Sequence, residues 1–296
     1  MAYLSDFGAI RGLRIIRDGA FTITGKLSTP FDGLCVPLRS VKYVADVNGN
    51  ANIAAVITKP EIATLLDPSF AVAIAEDPDA AHAEIHAALA VRHDAQLRDQ
   101  ATIIDASASI DPRANISNYG VVIGPRTWVG ANVSIGAGVT IEEDCVLHPG
   151  VSLGVPGFNT GIIGGRQRIL PQMGGVRLNS FVELLSNVCV ARALFCGDTT
   201  LGEEVVADNL VYIAHDVQVG RRVQICALVN ILGRTVVGDG AYIGPSAVIK
   251  NGLNIGAGAK ISIGSVVTQD VADHSVVSGN FAVPHDRFIE HIRSIR

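Results

Sequence analysis

An apolar residue returns at every sixth position from Leu201 to Val267. The series runs Leu201, Ala207, Ile213, Val219, Ile225, Ile231, Val237, Ile243, Ile249, Ile255, Ile261 and Val267, twelve matches without a break. The next residue is usually small or polar, as at Gly202, Asp208, Gly220 and Gly238. The residue four after the apolar one is small or β-branched, as at Val205, Val211, Val223 and Ala241. A helix repeats at 3.6 residues and a strand at 2, so neither yields six. A short strand followed by a corner does, and three such hexads close one triangular coil. Stacked coils then sit ~4.8 Å apart, as parallel strands do. The apolar residue points into the prism, and the small residues let the chain turn. The pattern predicts a parallel β-helix of hexapeptide repeats.

Hexads begin near Ile104, slip by one residue between Ile116 and Ile123, and hold phase to Leu153. They stop after Gly154, return at Val176, Val182 and Val188, and slip again near Leu194. About eight coils follow from this count. The segment 155–175 is rich in Gly and Pro and has no period, so it reads as a loop extruded at a corner. Loops of such length are usually functional or disordered. Residues 1–98 carry no hexads. FTITG (21–25), CVPLRSVKYV (35–44), AAVIT (54–58) and FAVAIA (70–75) read as strands, and 77–93 as a helix capped near Asp77 or Asp79. The expected division is a small α/β domain at 1–98, a β-helix at 99–277 with its loop, and a tail at 278–296. After Pro284 that tail has room for no more than a short helix.

Composition narrows the function classes. The chain has 296 residues, 31 Gly, 5% aromatics and a net charge of −5. Many corners and a narrow prism suit the Gly and the few aromatics. The negative balance and the lack of a basic run argue against nucleic acid or an anionic membrane as main partner. No stretch reaches the ~18 apolar residues of a membrane helix, and the start has no signal-peptide core. Cys35, Cys145, Cys189, Cys196 and Cys226 are odd in number and lack metal spacing. They read as packed thiols in a reducing cytoplasm. His82 and His86 stand four apart on the expected helix, a spacing that can hold zinc. No third ligand accompanies them, and a solvated helix face is the expectation.

His215 is third in its hexad, beside a corner, and should face outward. Gly233 follows 18 residues later, one coil on, and should stack beside it. Asp208 is second in the preceding hexad. An imidazole near neutral pH can take a proton from an attacking amine, a carboxylate can hold its tautomer, and a backbone N–H can stabilise an oxyanion.

Three stretches carry a resemblance: ADNLVYIAHDVQVG (207–220), LHPGVSLGVPGF (147–158) and PQMGGV (171–176). They resemble the N-acyltransferase family of the lipid A pathway, which makes UDP-2,3-diacylglucosamine, and the likeness extends over nearly the whole chain. It implies a left-handed β-helix, a uridine-binding N-terminal domain, and a homotrimer with active sites between subunits. It also implies His215 as catalytic base, Asp208 as its partner and Gly233 N–H as oxyanion donor. No bound cofactor or metal is implied. The co-substrate is an acyl carrier protein thioester or acyl-CoA, and the acceptor is the amine of a nucleotide-linked amino sugar. Tyr43, His148, Phe158 and Arg192 are the substrate-binding candidates, with Tyr43 in the Lys42–Tyr43 pair that the family also carries.

The chain departs from the family at four places. Leu253 stands where the family has a second His. No aromatic precedes Lys42–Tyr43, Ala191 replaces an Asp before Arg192, and the C-terminal helices that dock the carrier protein are mostly absent. An acyl-CoA-dependent N-acyltransferase for a surface-polysaccharide or antibiotic sugar therefore stays open. So does a non-catalytic trimeric β-helix scaffold. A zinc hydratase on the same scaffold would need a close pair of His, and His148, His215 and His274 are far apart in sequence.

Overall fold

A computed structural model describes residues 1–279 and 282–295. Asn280, Phe281 and Arg296 of the expected tail lie outside the described residues. The chain divides into two units. One joins residues 1–101 with 156–175 and 192–198. The other comprises 102–155, 176–191 and 199 onward.

The second unit is the β-helix that the hexads predict. Its strands, two to four residues each, form three parallel sheets of eight, nine and eight strands. The first face runs from Ile103–Ile104 to Asn254–Ile255, the second from Ser109–Ile110 to Val276–Val277, and the third from Asn115–Ile116 to Val266–Val267. Register is kept from coil to coil: Ile213 pairs with Ile231, and Ile231 with Ile249. Both apolar positions of each hexad point inward, so Leu201, Val205, Ile213, Val217, Ile231 and Ile243 are fully buried. Each such side chain contributes about 1.5–3 kcal/mol by leaving water. Nearly every corner places one residue in the left-handed region, including Asn132, Asp144, Asn187, Asp216 and Ser246. Asn and Asp tolerate this region better than most side chains, which accounts for polar residues at that step of the hexad.

The hexad count is strict at two of the three edges. Between the third and first faces it is not. The inward residues there step from Ile116 to Ile123, from Leu153 to Leu178 and from Val190 to Leu201. The one-residue slip, the long loop and the second slip that the sequence shows all fall on this one edge.

The first unit is built on a five-stranded sheet. Ile23–Thr24, Leu34–Leu38, Ile53–Thr58 and Ala71–Ile74 run parallel in that order, and Arg14–Arg17 closes the sheet antiparallel to Ala71–Ile74. One face packs Cys35, Ala55, Ile57 and Ala73 against Ala81 and Ile85 of the long helix Pro78–Arg98. The other packs Val36, Val56 and Val72 against Ile62, Leu66 and Phe70. Asp77 caps the long helix, accepting from the N–H groups of Asp79 and Ala80, each at 3.1 Å.

Several local expectations change. The stretch 35–44 is not one strand. It leaves the sheet after Leu38, and Val41–Tyr43 followed by Val44–Asn48 is helical. The Ser40 hydroxyl caps that turn by accepting from Lys42 N–H. His82 and His86 do not form a solvated face. They are 7% and 0% exposed. Period alone could not show this, because the side of the helix they occupy is covered by chain that arrives from 156–175 and 192–198. The thiols of Cys189 and Cys226 are only partly buried, because they follow the outward rather than the inward step of their hexads. His285–Ser294 forms the short terminal helix, with none of its side chains buried. No helix among the described residues is long and apolar enough to cross a membrane.

Candidate active site

His215 follows strand Tyr212–Ile213 of the third face and precedes Gln218–Val219 of the first. It therefore stands on the edge where the hexad count is interrupted. The hexad places Ile213 and Val217 inside and leaves the imidazole outside, yet its side chain is only 13% exposed. Two neighbours hold it. The Asp216 carboxylate lies 2.6 Å from Nδ1. Gly233, one coil on, lies under the ring: a Cβ at 233 would meet Nε2 at 2.5 Å and Cε1 at 2.6 Å. A residue with a side chain at 233 would force the imidazole away, so the glycine is required by close approach.

Asp216 is itself placed by the corner. It adopts φ 60°, and its N–H donates to the buried Thr199 Oγ1 at 2.9 Å. This bend turns the carboxylate back onto the preceding imidazole. The bond assigns the tautomer: Nδ1–H donates to Asp216, and Nε2 keeps its lone pair. Gly233 N–H meets no acceptor among the described residues. A base nitrogen and a free backbone donor thus share one edge of the prism.

Asp208 does not meet His215 within this chain. It lies on the edge between the second and third faces, and its Oδ1 accepts from Asn209 N–H and Nδ2–H, both at 2.7 Å. Within one chain the carboxylate on the imidazole is Asp216, not Asp208. The signal was in the sequence, because Asp216 directly follows His215 in IAHD. What spacing could not show is that a left-handed corner brings neighbouring side chains together.

The remaining candidates separate. His148, on the same edge as Asp208, pairs Nε2 with Glu183 Oε1 at 2.8 Å and stands edge-on to Trp128, ring centroids 5.7 Å apart. In the first unit, Tyr43 is part-exposed beneath Lys42 Nζ, 5.4 Å from its ring centre. Phe158 is 81% exposed, so it anchors nothing within this chain. Arg192 Nε donates to Gly174 O at 2.7 Å and ties segment 192–198 to the end of the loop. Among the described residues no three His, Cys, Asp or Glu side chains group as a metal site.

The first unit holds a pocket of about 640 Å³ at the carboxyl ends of its parallel strands. That is where open parallel sheets usually receive ligands. Pro37 lies near the end of its strand, Arg39, Lys59 and Glu76 follow strand ends, His82 and Ala83 come from the long helix, and residues 159–162, Leu170 and Phe195 complete the wall. Arg39 Nε meets Asp79 Oδ2 at 2.9 Å beside it. Tyr43 does not line this pocket.

Residues 120–154 match the bacterial transferase hexapeptide (six repeats) family. The UDP-3-O-acylglucosamine N-acyltransferase of Caulobacter sp. (strain K31) is 41% identical over 145 residues, 48% of this chain and 42% of that protein. The enzyme of the same name from Bordetella pertussis is 34% identical over 139 residues, 46% of this chain and 38% of that protein. The chain spans less than half the length of these curated relatives. Among solved structures, an Arabidopsis UDP-N-acetylglucosamine acyltransferase covers 60% of this chain and 71% of its own at 26% identity, with a TM-score of 0.39. One from Campylobacter jejuni covers 65% and 82% at 14% identity, with a TM-score of 0.40. The chain thus folds as a β-helix of hexad repeats and is similar over about half its residues to the UDP-3-O-acylglucosamine N-acyltransferases.

Proposed function

We propose that the chain is an N-acyltransferase that moves an acyl group from a thioester to the amine of a nucleotide-linked amino sugar, as an enzyme of the lipid A type. The observation that carries this is the His215 imidazole, bonded at Nδ1 to Asp216 and seated over Gly233. The amine nitrogen attacks the thioester carbonyl, and Nε2 takes the proton the nitrogen must lose. The oxyanion is stabilised by Gly233 N–H, an interaction worth a few kcal/mol. The C–N bond stands as the C–S bond breaks, and His215 returns the proton to the departing thiolate. Asp216 stabilises the imidazolium between those steps. The step needs no metal.

The nucleotide is assigned to the first unit, where Lys26, Arg39 and Lys59 line the strand-end pocket and favour phosphate by their charge. A homotrimer in the cytoplasm is part of the reading. His215 lies on one edge of the prism, and His148 and Asp208 lie on another, so a cleft between protomers can use both edges. Asp208 and His148 then serve the acceptor or the neighbouring protomer's site rather than orienting His215 in their own chain.

Replacing His215 by Ala tests the reading: turnover of an acyl thioester with a nucleotide amino sugar should fall ~10²–10⁴-fold, with the β-sheet circular dichroism unchanged. Near-normal turnover would end it. The second reading, a donor of the acyl-CoA kind and a different sugar, is favoured by Leu253 and by the missing aromatic before Tyr43. A screen of acyl-CoAs and carrier-protein thioesters against several nucleotide amino sugars separates the two.

A further inference from the structure

Two segments of the first unit reach it from far along the chain, 156–175 and 192–198. Both meet the long helix at one cluster. His86 donates Nε2–H to Pro171 O at 2.6 Å, and its Nδ1 accepts from the Thr24 hydroxyl at 2.7 Å. His82, one turn earlier, donates Nε2–H to Cys35 O at 3.1 Å. Phe195 stands edge-on to both rings, with centroids 6.1 and 5.1 Å away. Gly164 N–H donates to Glu84 from the far end of the loop. The helix meets the loop through His86 at Pro171, Glu84 at Gly164 and Ala83 beside Gly161, while His82 lies under Phe195; both imidazoles are buried, where a charge is costly.

We propose that His82 and His86 form an acid-sensitive latch that holds segments 156–175 and 192–198 on the long helix, and that protonating the pair lifts both segments. The pocket wall formed by residues 159–162, Leu170 and Phe195 lifts with them.

The electrostatics agree with the geometry. Burial, and then the proximity of the titratable His86 and of Lys26, push His82 down to about 3, against the pull of its backbone bonds at Cys35 and Gly25. Burial also lowers His86, against the bond to Pro171 O. His93, farther along the helix, is lowered by burial and Arg192, with Asp94 opposing. Glu84 already accepts from Gly164 N–H, and Asp79 is paired with Arg39. The docked state therefore binds fewer protons than the lifted state. Docking is fully stabilised above the ordinary histidine value of ~6.5, and weakens as pH falls from there toward the docked values. Each histidine raises the lifted fraction up to about tenfold per pH unit, and the pair up to about a hundredfold. Asn159 Oδ1, buried without a hydrogen-bond partner among the described residues, favours lifting further, because water would satisfy it.

Hydrogen exchange on the full chain from pH 7.5 to 4.5, corrected for intrinsic exchange rates, tests the latch. Protection of 156–175 and 192–198 should fall at least about tenfold per pH unit below ~6.5, while the β-helix strands from 212 to 267 stay protected. His86→Gln, which keeps a donor for Pro171 O but cannot titrate, should flatten the profile. A flat wild-type profile, loops and strands losing protection at one common pH, or profiles unchanged in both His82→Gln and His86→Gln would each overturn the proposal. If the variants fail to fold, the ¹³Cε1 shifts of His82 and His86 in the wild type decide. They must titrate together with loop exchange, and titration without loop opening refutes the latch.

Discussion

The imidazole at 215 depends on the residue next to it and on the absence of a side chain one coil away. These two dependences separate experimentally. Asp216→Asn keeps the volume but offers Nδ1 an amide in place of a carboxylate, so kcat should drop ~10²-fold or more. Asp208→Asn, on a different edge, should leave the pH profile of the base unchanged even if it raises KM. Equal losses of kcat in the two variants would contradict the assignment of Asp216. Gly233→Ala keeps the backbone N–H but places a methyl 2.5 Å from Nε2. A displacement of that kind costs on the order of 10²-fold in rate, and it should come with little change in melting temperature. Of the site, His215 and Gly233 were readable because the hexad is a ruler that locates outward positions and stacks them at 18 residues. Asp216 was not, because the ruler gives position along the prism and says nothing about how a left-handed corner folds one side chain onto its neighbour.

At the scale of elements, the hexad separates inward from outward residues sharply enough to predict stability. Ile231 is fully buried and pairs with Ile213 and Ile249 on either side. Ile231→Ala should lower unfolding free energy by about 2–5 kcal/mol, through lost transfer energy and the cavity left behind. Gln224, exposed on the second face, should tolerate Ala within about 0.5 kcal/mol. Chemical denaturation of the two variants checks the contrast. The strands of the first unit were legible in the sequence for the same reason, as apolar runs such as Ile53–Thr58 and Ala71–Ile74. Two features were not. The helical turn at Val41–Tyr43 is set by the Ser40 cap rather than by periodicity. The burial of His82 and His86 is set by partners such as Pro171 and Phe195, more than 80 residues away, which no local window contains.

At the scale of the molecule, the proposed site makes assembly testable. Were protomers to share clefts, an inactive His215→Ala chain and an inactive chain altered at a residue of the other edge would rescue one another when mixed. Light scattering should give three times the chain mass, and an active monomer would count against shared clefts. One feature of the prism bears on how such proteins diversify. Two of its edges admit no extra residue, since any insertion would push the following strand out of phase with the layers on both sides. The third edge already absorbs a single residue at 117–120, a short detour at 192–198 and a long one at 156–175. Closing a detour costs only the logarithm of its length. New segments can therefore be grafted there almost freely, beside the histidine, so the same spiral can acquire new specificities by growing at a single seam.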